Sequence, residues 1–184
     1  MDNMKDYVES IFNKKFEKKY YKKFMKITPK GKILDLGCGV GSASNIFINA
    51  GYDYIGYDID EYNINLGKNY NHSLNISVAN MINIPQQNPK ANGAVYAYSL
   101  LSLTTEEVNQ TFKSCYNNLT NNGNVLIFTR CKEFDTIPNI HFNVIPKDKL
   151  IKILQVCWFI VIYNKNLDKL SICLIASKKI IRRV

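Results

Sequence analysis

The stretch Ile33-Leu34-Asp35-Leu36-Gly37-Cys38-Gly39-Val40-Gly41 joins a short apolar run, broken by one acid, to three glycines at alternate positions. An apolar run that ends in glycine is the pattern of a buried strand entering a turn. Glycine lets that turn take positive φ and approach a ligand closely, because no Cβ stands in the way. A second apolar run follows and closes on Asp58. The spacing predicts a strand over 32–36, a ligand-facing turn over 37–41, and a helix over about 42–50 that aims its free N–H groups at whatever lies above the glycines.

Two nucleotide-binding readings fail on spacing. A dinucleotide fingerprint needs its third glycine five positions after the first; that position is Ser42, and Gly41 comes one place too early. A phosphate-gripping loop needs Gly-Lys-Ser/Thr, yet no lysine lies between Lys32 and Lys68. Phosphate is therefore not the indicated guest.

The pattern Asp35-Leu-Gly37-Cys-Gly39-Val-Gly41 resembles the first motif of class I S-adenosylmethionine-dependent methyltransferases, and the resemblance continues in element order to Lys178. It implies that the turn carrying Asp35, Gly37, Cys38, Gly39 and Gly41 passes under the methionine part of S-adenosyl-L-methionine. It also implies an acid at the end of the second strand that takes both ribose hydroxyls. Tyr54-Ile-Gly-Tyr-Asp58-Ile-Asp60 fits that strand, with Asp58 as ribose ligand and Ile59 against the adenine. A carboxylate at a strand's carboxyl edge can accept from two vicinal hydroxyls, and charge-assisted bonds are the stronger kind. The competing reading is an ordinary βαβ unit with a glycine turn and a solvated acid.

Asn80-Met81 follows the third predicted strand, where the resemblance implies an acid and then an apolar residue around the adenine. Asn80 can still accept from an exocyclic amine through its amide oxygen, while Met81 equally suits a core position. Tyr98-Ser-Leu-Leu-Ser-Leu103 ends the fourth strand and is implied to lie under the transferring methyl. The product left by that transfer would be S-adenosyl-L-homocysteine.

From Lys32 onward apolar runs alternate with helical periodicity: strands over 32–36, 53–58, 75–78, 94–98 and 124–129, and helices over about 42–50, 61–70, 105–119 and 147–156. Thr104-x-x-Glu107 is a capping box that starts the third of these helices. Thr120-Asn-Asn-Gly123 reads as a turn, and 158–163 with 171–177 as a hairpin. The expectation is an α/β, doubly wound, Rossmann-like, mostly parallel seven-stranded sheet with an antiparallel last strand and helices on both faces.

One domain is the natural count for 184 residues with 46% hydrophobic content. Before the first strand, Phe12, Phe16, Tyr20 and Phe24 recur at helical spacing while Lys14, Lys15, Lys18, Lys19, Lys22 and Lys23 take other faces. Residues 1–30 are therefore expected to form an amphipathic helix that packs on the sheet and serves as a lid, with residues 31–184 as the methyltransferase domain. The formal charge of +9 sits at the ends: residues 1–32 hold ten lysines against four acids, and 178–184 add four cations. The body between is near neutral, so it is not itself a basic surface. No leader-like start and no run of about 18 uncharged apolar residues is present, so a cytoplasmic protein without a membrane partner is expected. Five scattered cysteines and two histidines support neither structural zinc nor a disulfide framework.

Methyl transfer from a sulfonium is an in-line displacement with an activated donor, so alignment and water exclusion matter most. A hydroxyl acceptor wants a base, and the candidates are His141, Tyr98 and, more weakly, Asp135. Glu133 with Asp135 alone makes no metal site. The nucleobase-holding Asp/Asn-Pro-Pro-aromatic and Pro-Cys signatures are absent after the fourth strand, and Asn92-Gly93 stands where small-molecule members often carry Phe-Asp. The leading expectation is methyl transfer to a small-molecule substrate. A second is transfer to RNA or protein docked by the basic termini, with a nucleic acid partner not favoured; a third is a catalytically silent cofactor-binding regulatory module. The acceptor atom and the oligomeric state are not legible from sequence.

Overall fold

The computed structural model describes residues 18–132 and 142–179. Strands Lys32–Leu36 (β1), Asp53–Asp58 (β2), Ile76–Val78 (β3), Ala91–Ala97 (β4), Leu119–Arg130 (β5), Phe159–Asn166 (β6) and Ser171–Lys178 (β7) form one sheet in the order β3-β2-β1-β4-β5-β7-β6. The first five strands pair in parallel, and β7 runs antiparallel to both of its neighbours. Helices Lys18–Ile27 (α1), Ser44–Ile48 (α2), Glu61–Tyr70 (α3), Thr105–Asn118 (α4) and Lys147–Val156 (α5) cover the faces. This is the expected doubly wound architecture.

Strand side chains alternate between the two faces, so neighbouring residues feed separate cores. Leu34, Leu36, Val125 and Ile127 join Phe112, Leu154 and Phe159 in one cluster. Ile33, Leu126 and Phe128 join Phe24, Phe47 and Ile64 in the other. The helix α1 uses its aromatic stripe as packing: Tyr21 lies 5.4 Å from Phe128, and Phe24 lies edge-on to Phe47 at 6.2 Å, both ring to ring. Its lysines remain exposed.

Asn92-Gly93 has a packing reason. A Cβ on Gly93 would come within 2.7 Å of Phe24 and 2.8 Å of Ile33, so glycine there admits the α1 ring. Asn92 Oδ1 accepts from the Lys32 amide at 3.2 Å and lies where a Gly31 side chain would go.

Three local expectations are corrected. Thr120–Gly123 is not a turn between elements: β5 begins at Leu119, and the extra residues are absorbed in a register shift between Ala91↔Leu119 and Gly93↔Asn124. Gly123 faces its own loop there, 2.8 Å from the Leu119 Cβ for an added Cβ. β4 starts at Ala91, ahead of the expected 94, and ends at Ala97 because Tyr98 turns left-handed with φ 63°. The helix after the glycines is one short turn, Ser44–Ile48, and not 42–50. The capping box holds, with Thr104 Oγ1 accepting the Glu107 amide and Glu107 accepting the Thr104 amide. Phe12, Phe16, Lys14 and Lys15 lie outside the described residues.

Candidate cofactor site

The strand order reverses between β1 and β4, and the crevice of an open α/β sheet opens there, at the carboxyl ends of the strands. The turn after β1 enters that crevice. Gly37, Gly39 and Gly41 have φ of 76°, 54° and 82°, the left-handed region that other residues avoid. Their surroundings differ. A Cβ on Gly37 would lie 2.2 Å from the Ser99 Cβ and 3.0 Å from the Met81 Cε; one on Gly41 would touch Ile76 and Leu74 at 3.4 Å; one on Gly39 would meet nothing within 4 Å among the described residues. Gly39 is the one glycine of the three whose outer face is open.

The turn is held by its own bonds. Gly37 and Cys38 amides donate to the Tyr57 carbonyl at 2.8 and 3.0 Å, and the Gly41 amide donates to the Cys38 carbonyl at 2.9 Å. The Gly39 amide donates to Asp58 Oδ2 at 2.7 Å, and the Asp60 amide to Asp58 Oδ1 at 2.9 Å. The amides of Gly37, Cys38, Gly39 and Gly41 are thus bonded within the protein, and α2 is a single short turn behind them. Each Asp58 oxygen accepts one amide and keeps a second lone pair.

Asp35 is buried under the turn. Its Oδ2 accepts from the Tyr54 hydroxyl at 2.7 Å, while Oδ1 is buried without a hydrogen-bond partner. Desolvation, opposed by the Tyr54 bond and reinforced by the Asp58 charge, pushes its pKa up to about 6. Cys38 is a filler: its Sγ lies 2.8 Å from where a Gly56 Cβ would be, and burial pushes its thiol far above the ordinary range, so it is no nucleophile at neutral pH.

The remaining site residues line the rim. Ile59 is 66% exposed beside Asp58. Asn80 caps a one-turn 3-10 helix, Met81–Asn83, with Oδ1 accepting the Ile82 amide at 2.9 Å. The Met81 side chain packs in the core, and its carbonyl accepts from Thr111 Oγ1 at 2.6 Å. The Tyr98 ring stacks on Phe128, with centroids 6.3 Å apart, and its amide donates to the Phe128 carbonyl. The structure therefore brings Asp35, Gly37, Cys38, Gly39, Gly41, Asp58, Ile59, Asn80, Met81 and Tyr98 to the carboxyl ends of β1–β4. His141, Asp135 and Glu133 lie outside the described residues. Among the described residues no group of three His, Cys, Asp or Glu could hold a metal.

Sequence reasoning missed Ser99 and Tyr54. Ser99 Oγ donates to the Leu36 carbonyl at 2.6 Å and ties the end of β4 to the glycine turn. Tyr54 bonds Asp35 across the β1–β2 pair. Neither has a signal in spacing, since each depends on which strands become neighbours.

Residues 33–123 match the family model described as "Methyltransferase domain". No curated protein matches. Among solved structures, a protein of Pyrococcus horikoshii OT3 superposes with a TM-score of 0.80 at 19% identity, covering 91% of this chain and 93% of that one. A SAM-dependent methyltransferase of Methanosarcina mazei gives 0.72 at 17% identity, covering 84% and 96%. The geranyl diphosphate C-methyltransferase of Streptomyces coelicolor A3(2), solved with S-adenosyl-L-homocysteine, gives 0.72 at 11% identity, covering 88% and 76%. Residues 33–123 thus match a methyltransferase domain, and the glycine turn and the sheet order with its antiparallel seventh strand give the chain the fold of class I methyltransferases.

Proposed function

We propose that the protein transfers a methyl group from S-adenosyl-L-methionine to a small metabolite in the cytoplasm. The observation that carries the reading is the open face of Gly39 beside a carboxylate with spare lone pairs, Asp58. The group fits what is there. Asp58 would take the ribose hydroxyls, exposed Ile59 would cover one adenine face, and Asn80 Oδ1 has a lone pair left for the exocyclic amine. The orphaned Asp35 Oδ1 beneath the turn is an acceptor suited to the ammonium end of the cofactor, directly or through water.

The bound cofactor supplies a sulfonium-activated methyl. The chain's task is then to align the acceptor behind that methyl and keep water away. Tyr98, at the left-handed end of β4, is the side chain we assign to the acceptor side of the crevice, and His141 is a base for hydroxyl acceptors. The lid is the segment expected over residues 1–30, of which α1 is the described part: α1 runs from Tyr20 and Tyr21 beside Phe128 down to Ile27 at Asn124, so its first turn lies at the crevice end. A small acceptor is supported by the Streptomyces enzyme, whose substrate is geranyl diphosphate. All five cysteines are free thiols, which suits a reducing compartment.

Calorimetric titration with S-adenosyl-L-methionine tests the cofactor assignment: micromolar-range binding is expected and should be lost in Asp58→Ala. No binding by the parent overturns it. A metabolite panel scored for S-adenosyl-L-homocysteine production then separates the small-acceptor reading, which a purely silent binding module or an RNA acceptor would fail.

A further inference from the structure

The corner of the molecule farthest from the crevice is both apolar and cationic. Ile27, Val156, Trp158 and Ile160 are between 44% and 66% exposed. A chain of contacts runs along this edge of the sheet from Ile160 to Ile27. Ile160 pairs with Ser177, Ser177 Oγ donates to Asn124 Oδ1, and Asn124 Nδ2 donates to the Ile27 carbonyl at 3.0 Å. Trp158 sits in a left-handed turn with φ 64° that holds its ring out between α5 and β6, and its carbonyl accepts the Lys179 amide at 2.8 Å. The Lys179 ammonium lies 5.9 Å from the indole centroid. Lys26 and Lys152 are exposed on the flanking helices.

Among the described residues, the only acid on the elements that end here is on α5. The elements α1, β6 and β7 contain no acid, and the single acid of α5, Asp148, is in its first turn at the opposite end of the helix. The chain continues from Lys179 with Ile180-Ile181-Arg182-Arg183-Val184, aliphatic and cationic in composition like the corner it leaves. β6 is also the sheet's outer strand, so nothing in the sheet covers its far side.

From these observations we propose that this corner docks the protein on an anionic lipid surface, with Trp158 and Ile160 entering the headgroup boundary and Lys26 and Lys179 facing the lipid phosphates. Amphipathic side chains of this mix are stable at such an interface: indole and aliphatic groups gain by burial while lysine stems reach the charged layer. A second copy of the chain would set like charges against each other. A nucleic acid would meet the lysines but would leave the isoleucines in water. Docking here leaves the crevice, at the other ends of the strands, facing away and accessible. It revises the expectation that no membrane partner exists, and it does not depend on the methyl acceptor.

Trp158 is the only tryptophan of the chain, so its emission reports on this corner alone. Titration with phosphatidylcholine vesicles containing 30% phosphatidylglycerol should shift that emission to the blue and sediment the protein. Pure phosphatidylcholine should do neither. The variant Ile160→Asp, which keeps the reporter, should lose the shift, and Lys26→Gln with Lys179→Gln should weaken binding roughly thirty-fold, at about 1 kcal/mol per cation near the surface. Circular dichroism and cofactor titration confirm that the variants are folded. The proposal is overturned by an emission unchanged on anionic vesicles, by an equal shift with polyuridylic acid, or by a shift that follows protein concentration without vesicles, which would mean self-association.

Discussion

The Ser99 side chain occupies the space that any side chain on Gly37 would need, and its hydroxyl bonds the Leu36 carbonyl at 2.6 Å. Two strand ends, β1 and β4, are thus locked against each other at the floor of the crevice. Gly37→Ala should destabilise the fold by roughly 2–4 kcal/mol, combining overpacking with a left-handed alanine. Ser99→Gly in the same chain should recover part of that loss. Denaturant melts of the single and double variants measure it; a stable Gly37→Ala protein would mean that the strand ends are not so locked.

Gly39→Ala should behave in the opposite way. Its Cβ meets nothing, so the cost to folding is only the left-handed backbone term of about 1–2 kcal/mol. Because the open face is where we place the cofactor, affinity for S-adenosyl-L-homocysteine should fall much further than stability does. Paired thermal melts and calorimetry compare the two losses directly.

Asp58 binds two backbone amides and is assigned the ribose. Asp58→Ala removes charge-assisted bonds worth about 1.5–3 kcal/mol each and should cut cofactor affinity about a hundredfold or more. Asp58→Asn can accept with only one of its two groups and should fall between parent and alanine.

Asp35 makes the cofactor affinity depend on pH. Its pKa is raised from 3.8 to about 6 in the folded chain. Protonated Asp35 therefore contributes stability that is fully present below pH 3.8 and is lost as pH rises through about 6. A cationic ammonium nearby favours the ionised form, so binding should strengthen as pH rises from 5 to 7 and release a proton near pH 6. Calorimetry in buffers of different ionisation enthalpy detects that release. Asp35→Asn should flatten both the affinity profile and the slope of stability with pH.

Phe24 is fully buried between Phe47 and the hollow left by Gly93. Phe24→Ala should cost about 3–5 kcal/mol, as expected for a large ring removed from a core. Gly93→Ala, which drives a methyl into the same ring, should cost about 1–3 kcal/mol. Equilibrium unfolding gives both values, and an α1 that served only as a removable lid would give neither.

The sequence by itself determined the fold class, the glycine turn, the acid ending β2 and the capping box of α4, because each is written in residues close together along the chain. Period-two apolar runs, glycine spacing and a Thr-x-x-Glu pattern act within one element or one turn. It left the three glycines equivalent, and it read Thr120–Gly123 as a turn and Asn92-Gly93 as an unexplained departure. Tertiary structure decided those points. Whether a glycine is crowded or open depends on what another strand brings to it: Ser99 and Met81 crowd Gly37, while Gly39 is left free. The raised Asp35 pKa likewise comes from burial, opposed by the Tyr54 bond from the neighbouring strand, and the apolar, cationic edge forms where Ile27 of α1 meets β5 through Asn124 and β5 meets the β6–β7 hairpin. Such effects arise between residues far apart in sequence, where no local spacing records them.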